Sequence, residues 1–287
     1  CQMKIEVLVA AMNQTDHSII EKMHITTDAI VGNQCSKNSV EDFTQNGQNI
    51  SFYNFAERGV GLNRNNALMR AKGDVCLFAD DDMVYVDAYE KLVEKAFSEI
   101  PNADVIVFNL IEAVPTRYII DKIHRVRWYN YLRYGTARIA LKRIPIKENG
   151  IYFNQCFGGG TEHGNGEDTL FLTSCLKAGL KIFAYPAFIA ELTEERPSYC
   201  NKEYNEKYLL DQGALFRTIS RKWWRLLCLQ DAIRRRRIYQ MSWIKAYAKM
   251  IQGGAEELGR FLSLQVKNAF ANLLFLHKYN SAGVCQS

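Results

Sequence analysis

Three consecutive carboxylates, Asp80-Asp81-Asp82, terminate a short apolar run from Val75 to Ala79. Like charges this close repel one another and resist desolvation, so they call for water, a cation or a hydrogen-bonded ligand. An acidic turn in solvent and a cation site both meet that demand. A second carboxylate pair, Glu167-Asp168, follows five glycines between Gly158 and Gly166. So many glycines would be costly to order for packing alone. The run Gly158-Gly159-Gly160 lets backbone approach a ligand closely, which makes Gly159 and Gly160 binding candidates. Carboxylates at 167 and 168 also suit the first turn of a helix, where the dipole favours negative charge. Arg64 lies near a helix N-terminus, a position that favours an anion, although a surface arginine fits equally well. His163, inside the glycine loop, reads as a substrate contact or as a residue without a functional role, rather than a metal ligand.

These groups need elements to hold them. Val75 to Ala79 has the length and composition of a buried strand, opened by Gly73. Ahead of it, Ile5 to Ala11 reads as a first strand, followed by polar residues from Asn13. A helix is expected over 17–24, a strand over Asp28–Val31, a polar loop over 32–38 carrying Asn33 and Gln34, and a strand over Ile50–Phe55. Asn63 can cap a helix that runs to Lys72 and stops at Gly73. A helix over 87–99 and a strand over Asp104–Asn109 complete the first half. The alternation predicts an α/β fold with a mostly parallel sheet flanked by helices, whose carboxyl edge binds ligands. Ala11–Asn13, Asn33–Gln34 and Asp80–Asp82 then gather around one crevice. Farther on, 117–134 reads as a helix or an acceptor surface rich in Arg, Tyr and Trp. Residues 169–177 read as a helix stopped by Gly179, and Lys181–Pro186 as a strand.

A chain with 48% hydrophobic and 23% charged residues can build a substantial core. It contains no apolar stretch near the roughly 18–20 residues that span a bilayer, and no charged-then-apolar signal pattern opens it. Its eight cysteines include no CxxC pair, so a reducing, cytoplasmic compartment is expected and a zinc site is not. The net charge of +5 is uneven: residues 217–249 hold ten Lys or Arg against the single Asp231, which leaves the remainder negative.

Gly59-Val-Gly-Leu-Asn-Arg64-Asn65 followed by Gly73-Asp74 and Asp80-Asp81-Asp82 resembles the family 2 glycosyltransferases, enzymes with the GT-A (Rossmann-like) fold. The similarity covers roughly residues 4–200. It implies a nucleotide-diphosphate sugar in the crevice, with uridine the expected base, and a divalent ion, Mn²⁺ or Mg²⁺, against the pyrophosphate. Such hard cations take one or two carboxylates plus phosphates and water. Asp82, with Asp80, is the expected metal ligand, while Asp80 or Asp81 meets ribose or bound water. Ala11, Asn13, Asn33, Gln34 and Arg64 fall at donor-binding positions. The chain departs from the family in having Ala10-Ala11-Met12-Asn13 after strand one and Gly32-Asn33-Gln34-Cys35-Ser36 after strand two. Asn33 and Gln34 could still bond a base edge. By the same resemblance the Glu-Asp pair supplies the catalytic base: Asp168, with Glu167 as rival or acceptor ligand. It also implies inverting transfer to a hydroxyl of a glycan or lipid-linked acceptor, in bacterial surface polysaccharide assembly. No His occurs in 187–200, so Glu191, Glu194 or water would complete a metal shell. Glu195-Arg-Pro-Ser198 resembles a donor-site loop. A non-catalytic sugar- or nucleotide-binding protein is the competing reading.

The expected organisation is a catalytic domain over 1–212, with nucleotide-sugar binding in about 1–110 and acceptor binding with the base in 111–212, and a basic amphipathic helical region over 213–287. There, Phe216, Ile219, Trp223, Leu226 and Leu227 repeat at helical spacing beside an Arg stripe. An apolar face that packs on the protein is one reading; an anionic membrane surface met by 217–249 is the other. No nucleic-acid module accompanies the charge. The location implied is cytoplasmic, peripheral on the inner face of the membrane.

Overall fold

The computed structural model describes residues 3–193, 204–257 and 259. The chain divides into two compact units, 1–201 and 202–287. A boundary at 212/213 would fall inside a helix, Glu206–Ile219.

The first unit is a ten-stranded mixed sheet. Five strands form its amino-terminal half: β1 (Ile5–Met12), β2 (Asp28–Gln34), β3 (Ser39–Gln45), β4 (Gln48–Phe55) and β5 (Val75–Asp80). The rest are β6 (Met83–Tyr85), β7 (Val105–Ile111), β8 (His124–Arg125), β9 (Ile139–Lys142) and β10 (Ile182–Leu192). The order is β3-β4-β2-β1-β5-β9-β7-β10-β6, with β8 paired to β10. β1 is parallel to both β2 and β5, while β9 lies antiparallel between β5 and β7. The carboxyl ends of β1, β2, β5 and β7 therefore share one edge. The 3₁₀ turn that leads into β9, Thr136–Arg138, sits on that edge too.

Alternation along each strand covers both faces. In β1, Val7, Val9 and Ala11 join one apolar cluster with Tyr89, Val93 and Phe97, while Leu8 joins the other with Phe78, Phe153 and Phe171. Side chains on a strand alternate faces, so a sheet sandwiched between helix layers needs this near-continuous apolar sequence. The helices are α1 (Ile19–Lys22), α2 (Val60–Arg70), α3 (Tyr89–Glu99), α4 (Arg143–Glu148) and α5 (Glu167–Lys177). Phe78 meets Phe153 and Phe171 edge-on, with ring centroids 5.0 and 5.5 Å away. That wedge locks β5 to the segment before the glycine loop.

Four local expectations change. Residues 117–134 form no α-helix; they are extended around β8 and a 3₁₀ turn, Tyr131–Arg133, because the Asn109 amide takes both backbone groups of Ile120 and β8 pairs with β10. β2 runs through Gln34, so Gly32, Asn33 and Gln34 are strand rather than loop. β3 is an additional strand, mostly exposed and polar, held by antiparallel pairing with β4. Finally, α2 begins at Val60 and ends at Arg70 without an Asn63 cap. Gly73 does not stop it: a Cβ there would crowd Glu6, whose carboxylate takes the N–H groups of Lys72 and Gly73 at 2.6 and 2.7 Å.

In the second unit, α6 (Glu206–Ile219) and α7 (Trp224–Arg234) are followed by a helix through 243–257, α8. A Cβ on Gly213 or Gly253 would overlap the backbone of Met250 or Leu210, so these glycines let α6 and α8 touch backbone to backbone. The expected apolar stripe splits: Phe216 and Ile219 are buried and Leu227 half-buried, whereas Trp223 and Leu226 are exposed. Outside the stripe, Trp224 is buried, and Ile233 and Ile244 are exposed. No described helix is long and apolar enough to cross a membrane. Glu194 and the 195–198 segment lie outside the described residues.

Candidate active site

Three successive polar residues of α2, Asn63, Arg64 and Asn65, are each at most 5% exposed. Each holds a different part of the site. Asn63 Nδ2 donates to Gly32 O at 2.7 Å, fastening α2 to the end of β2. Asn65 exchanges two hydrogen bonds with the backbone of Phe153, at 2.9 and 2.7 Å. Between them, the Arg64 guanidinium bridges the two acidic groups. Its Nη2 donates to Asp80 Oδ1 at 2.6 Å, and its Nη1 reaches Glu167 Oε1 and Asp168 Oδ1, both at 3.3 Å. Burial works against its charge, but Asp80, Asp168 and Glu167 outweigh burial and raise its pKa above the usual arginine value. A buried charge needs such partners.

The acidic turn between β5 and β6 divides its work. Asp80 gives one carboxylate oxygen, Oδ1, to Arg64 and keeps 36% of its side-chain surface. Asp81 Oδ2 accepts from Met12 N at 3.1 Å and from Gln14 Nε2 at 3.2 Å, tying the turn to the end of β1. Asp82 is pushed upward by burial and then by the charges of Asp80 and Asp81, so a cation there would relieve it most. Its backbone carbonyl accepts from Thr193 N and Oγ1 at 2.8 and 3.0 Å, which pins the turn to the end of β10.

Across the guanidinium, Glu167 and Asp168 open α5 as expected. Burial first, then Asp168, raises Glu167 to about 7, with Arg64 opposing. Asp168 also accepts a short hydrogen bond from Thr136 Oγ1. Its side chain keeps 32% of its surface against 13% for Glu167, so Asp168 is the carboxylate a substrate can reach. Gly158 is required by contact: at φ 106° it sits against Glu167, whose carboxyl carbon would lie 2.9 Å from a Cβ. Gly159 O accepts from Val60 N at 3.0 Å, and Gly160 packs on Gly59, so the glycine loop is strapped to the start of α2.

The remaining donor candidates behave differently. Asn33 is 0% exposed, and its amide is spent on Gln14 and on Asn54 at 2.6 Å. Gln34, 4% exposed, donates to Gly59 O at 3.0 Å. Both amides point into the fold and hold loops, because continuing β2 through Gln34 turned a polar loop into buried strand. Ala11 is also buried. Asn13 is exposed, in a left-handed conformation (φ 55°), with its N–H on Gln34 O. His163 is buried and stacks on Phe157 at 4.5 Å. Sequence reasoning missed Thr136 and Gln14, which carry no local signal. It also missed Arg138, whose signal was an arginine inside the apolar run Ala137–Leu141.

Among the described residues, no three His, Cys, Asp or Glu side chains form a cage that could hold an ion alone. The donor set fits a hard cation held by one or two carboxylates and completed by ligand phosphate and water. Glu191 lies on β10, register partner of Val84 in β6.

An α/β sheet with an acidic turn at its carboxyl edge, answered across a buried arginine by a helix-opening carboxylate pair, is the arrangement of a GT-A glycosyltransferase. The chain belongs to glycosyl transferase family 2, whose sequence model matches residues 5–153. Among solved structures, S. aureus TarS 1-349 in complex with UDP-GlcNAc superimposes with a TM-score of 0.62 at 18% identity, over 88% of this chain and 81% of that one. The same protein with UDP gives 0.59 at 18% identity over the same shares. A further TarS structure gives 0.57 at 15%, over 87% of this chain and 55% of that one. At these identities the likeness speaks for the fold. No curated protein matches in sequence.

Proposed function

We propose that this glycosyltransferase moves a sugar from a UDP-sugar to an acceptor hydroxyl with inversion, aided by Mn²⁺ or Mg²⁺. The observation that carries the reading is Arg64, which holds Asp80 of the acidic turn and the Glu167-Asp168 pair on one guanidinium. The donor and the base are thereby kept in register. The UDP-GlcNAc bound by the similar TarS structure supports the choice of donor.

Asp82 and Asp80 are the residues that would hold the ion, which when bound stabilises the charge growing on the departing diphosphate. Asp168 takes the proton of the acceptor hydroxyl as that oxygen attacks the anomeric carbon. The Thr136 hydroxyl and Arg64 fix its position, and general-base help of this kind gives about 10²–10⁴-fold. Glu167, raised by burial and by Asp168, holds a proton near neutral pH and so limits the negative charge beside the base. Asp81 sets the β1 loop through Met12 and Gln14. Asn13, at the open end of that loop, is the donor contact from β1.

The acceptor is a glycan or lipid-linked carrier of a bacterial surface polysaccharide, reached from the cytoplasmic face of the membrane. In support, the second unit exposes Trp223, Leu226 and Ile244 along with Arg234, Arg236 and Arg237. Amphipathic helices with this pairing bind anionic interfaces, each basic residue adding about 1 kcal/mol. Arg235 is half-buried and paired with Asp231 at 3.3 Å. Replacing Arg234, Arg236 and Arg237 by Gln should lower flotation with anionic liposomes; unchanged flotation would remove the membrane role.

The test of the chemistry is Asp168→Asn. It should bind UDP as the parent does and lose transfer by at least about 10²-fold, with product configuration read by NMR on the parent. Parent-like turnover in the variant would refute the base assignment.

A further inference from the structure

One charged group remains outside this scheme. Arg138 is 1% exposed, yet no carboxylate pairs with it among the described residues. Its Nε donates to Phe108 O at 2.6 Å and its Nη2 to Asn109 Oδ1 at 3.0 Å, while Nη1 is buried without a partner. Burial pulls its pKa down to about 10. Arg117 adds to that pull, and the Tyr134 and Tyr118 rings oppose it. Arginine stays charged at this value, and a buried cation short of a counter-ion is costly unless something supplies one.

A cavity of about 150 Å³ adjoins it, lined by Arg138, Arg117, Asn109, Tyr118 and Phe188 among others. One water needs only roughly 10–15 Å³ of such space, so a polyatomic group fits. Glu112 also lines the cavity but is already committed: it pairs with Arg117 and accepts from the N–H groups of Thr116 and Arg117 at 2.9 and 3.0 Å. The cavity therefore keeps one uncompensated positive charge.

Its place in the fold gives that charge a use. Asn109 to Ile111 end β7 on the same sheet edge as the acidic turn. The 3₁₀ turn Thr136–Arg138 then reaches both ways: Thr136 holds Asp168, and two residues later Arg138 lines the cavity. An anion bound there lies on the far side of the base from the β1 and β2 ends.

We propose that this cavity is an oxyanion subsite, in which Arg138 Nη1, with Arg117 beside it, takes a phosphate or carboxylate carried by the acceptor. Assigning the anion to the acceptor rests on the transfer reading above; the subsite itself does not. It selects acidic acceptors and sets the attacking hydroxyl relative to Asp168.

Two probes on the full chain separate the sources of the oxyanion: glycerol 3-phosphate, followed by ³¹P line broadening, and glucuronate, followed by saturation transfer. Saturating UDP keeps the donor site filled and is tracked by its own ³¹P resonances. One probe should bind the parent, and Arg138→Gln should weaken it by at least about tenfold, as loss of a charge-assisted bond predicts. Arg117→Gln should weaken it roughly threefold, and UDP binding should be unchanged in both. Should Arg138→Gln fail to fold, Arg117→Gln decides, since Arg117 is 43% exposed and Glu112 keeps the backbone N–H groups of Thr116 and residue 117 as partners. No binding of either probe to the folded parent, or unchanged binding in the variants, overturns the subsite. Probe binding without any UDP binding would leave the subsite standing and overturn the donor reading.

Discussion

Replacing Arg64 by Met should expose how much of this fold depends on neutralising its carboxylates. The methionine fills much of the space but leaves Asp80, Glu167 and Asp168 without their shared cation. Breaking a buried ion pair from one side costs about 3–5 kcal/mol, and Arg64 is 5% exposed. For a unit of this size that lowers Tm by roughly 10–15 °C. The loss should depend on pH with a definite sign. Arg64 opposes the upward shift of Glu167 from the ordinary glutamate value of 4.5, so without it Glu167 rises further. A folded pKa above the unfolded one means the folded state binds the extra proton, and stability falls as pH rises through that range. The Arg64→Met defect should therefore be smallest near pH 5, where a protonated Glu167 no longer needs the guanidinium, and largest near pH 8. Urea denaturation of parent and variant at pH 5, 6, 7 and 8 measures it, with the difference cancelling the other carboxylates. An equal defect at pH 5 and pH 8 would falsify the claim that Arg64 acts by neutralising these acids.

Glu167→Gln should flatten the parent's own pH dependence: a rise from 4.5 to about 7 corresponds to about 3 kcal/mol of stability, present at acid pH and lost as pH climbs through 7. The same urea series reads it. Thr136→Val removes the hydroxyl from Asp168 at constant shape, and kcat should drop roughly tenfold with donor KM unchanged; a KM-only effect would count against a positioning role. Phe78→Ala empties the ring contacts with Phe153 and Phe171 and should cost about 3–5 kcal/mol in chemical denaturation. Gly213→Val forces a side chain into the Met250 backbone, and limited proteolysis should then cut the second unit more readily.

The strands and helices at the centre of the sheet were legible because burial on both faces demands long apolar runs. β1, β5 and β7 announce themselves in this way, and Glu167-Asp168 at the start of α5 follows from helix-terminus physics. What stayed hidden was stabilised from a distance. β3 is polar and exposed, so only its pairing with β4 makes it a strand. β9 is four residues long, too short for any period to show. Asn33 looked like a ligand-binding amide because its neighbours are polar; the parallel register with Asn54 that buries it is a long-range fact. Arg64 could be placed near a helix start, but its three acidic partners lie 16, 103 and 104 residues away.

The antiparallel β9, lodged between β5 and β7, also works as a ruler. Neighbouring strands lie about 4.8 Å apart, so β5 and β7 run about 10 Å apart where β9 pairs with both, at Val75–Leu77 and Val105–Val107. That is a distance set by the backbone ladder and not by any loop. Loops at the carboxyl edge can change in sequence and length while the span between β5 and β7 stays fixed by one inserted strand.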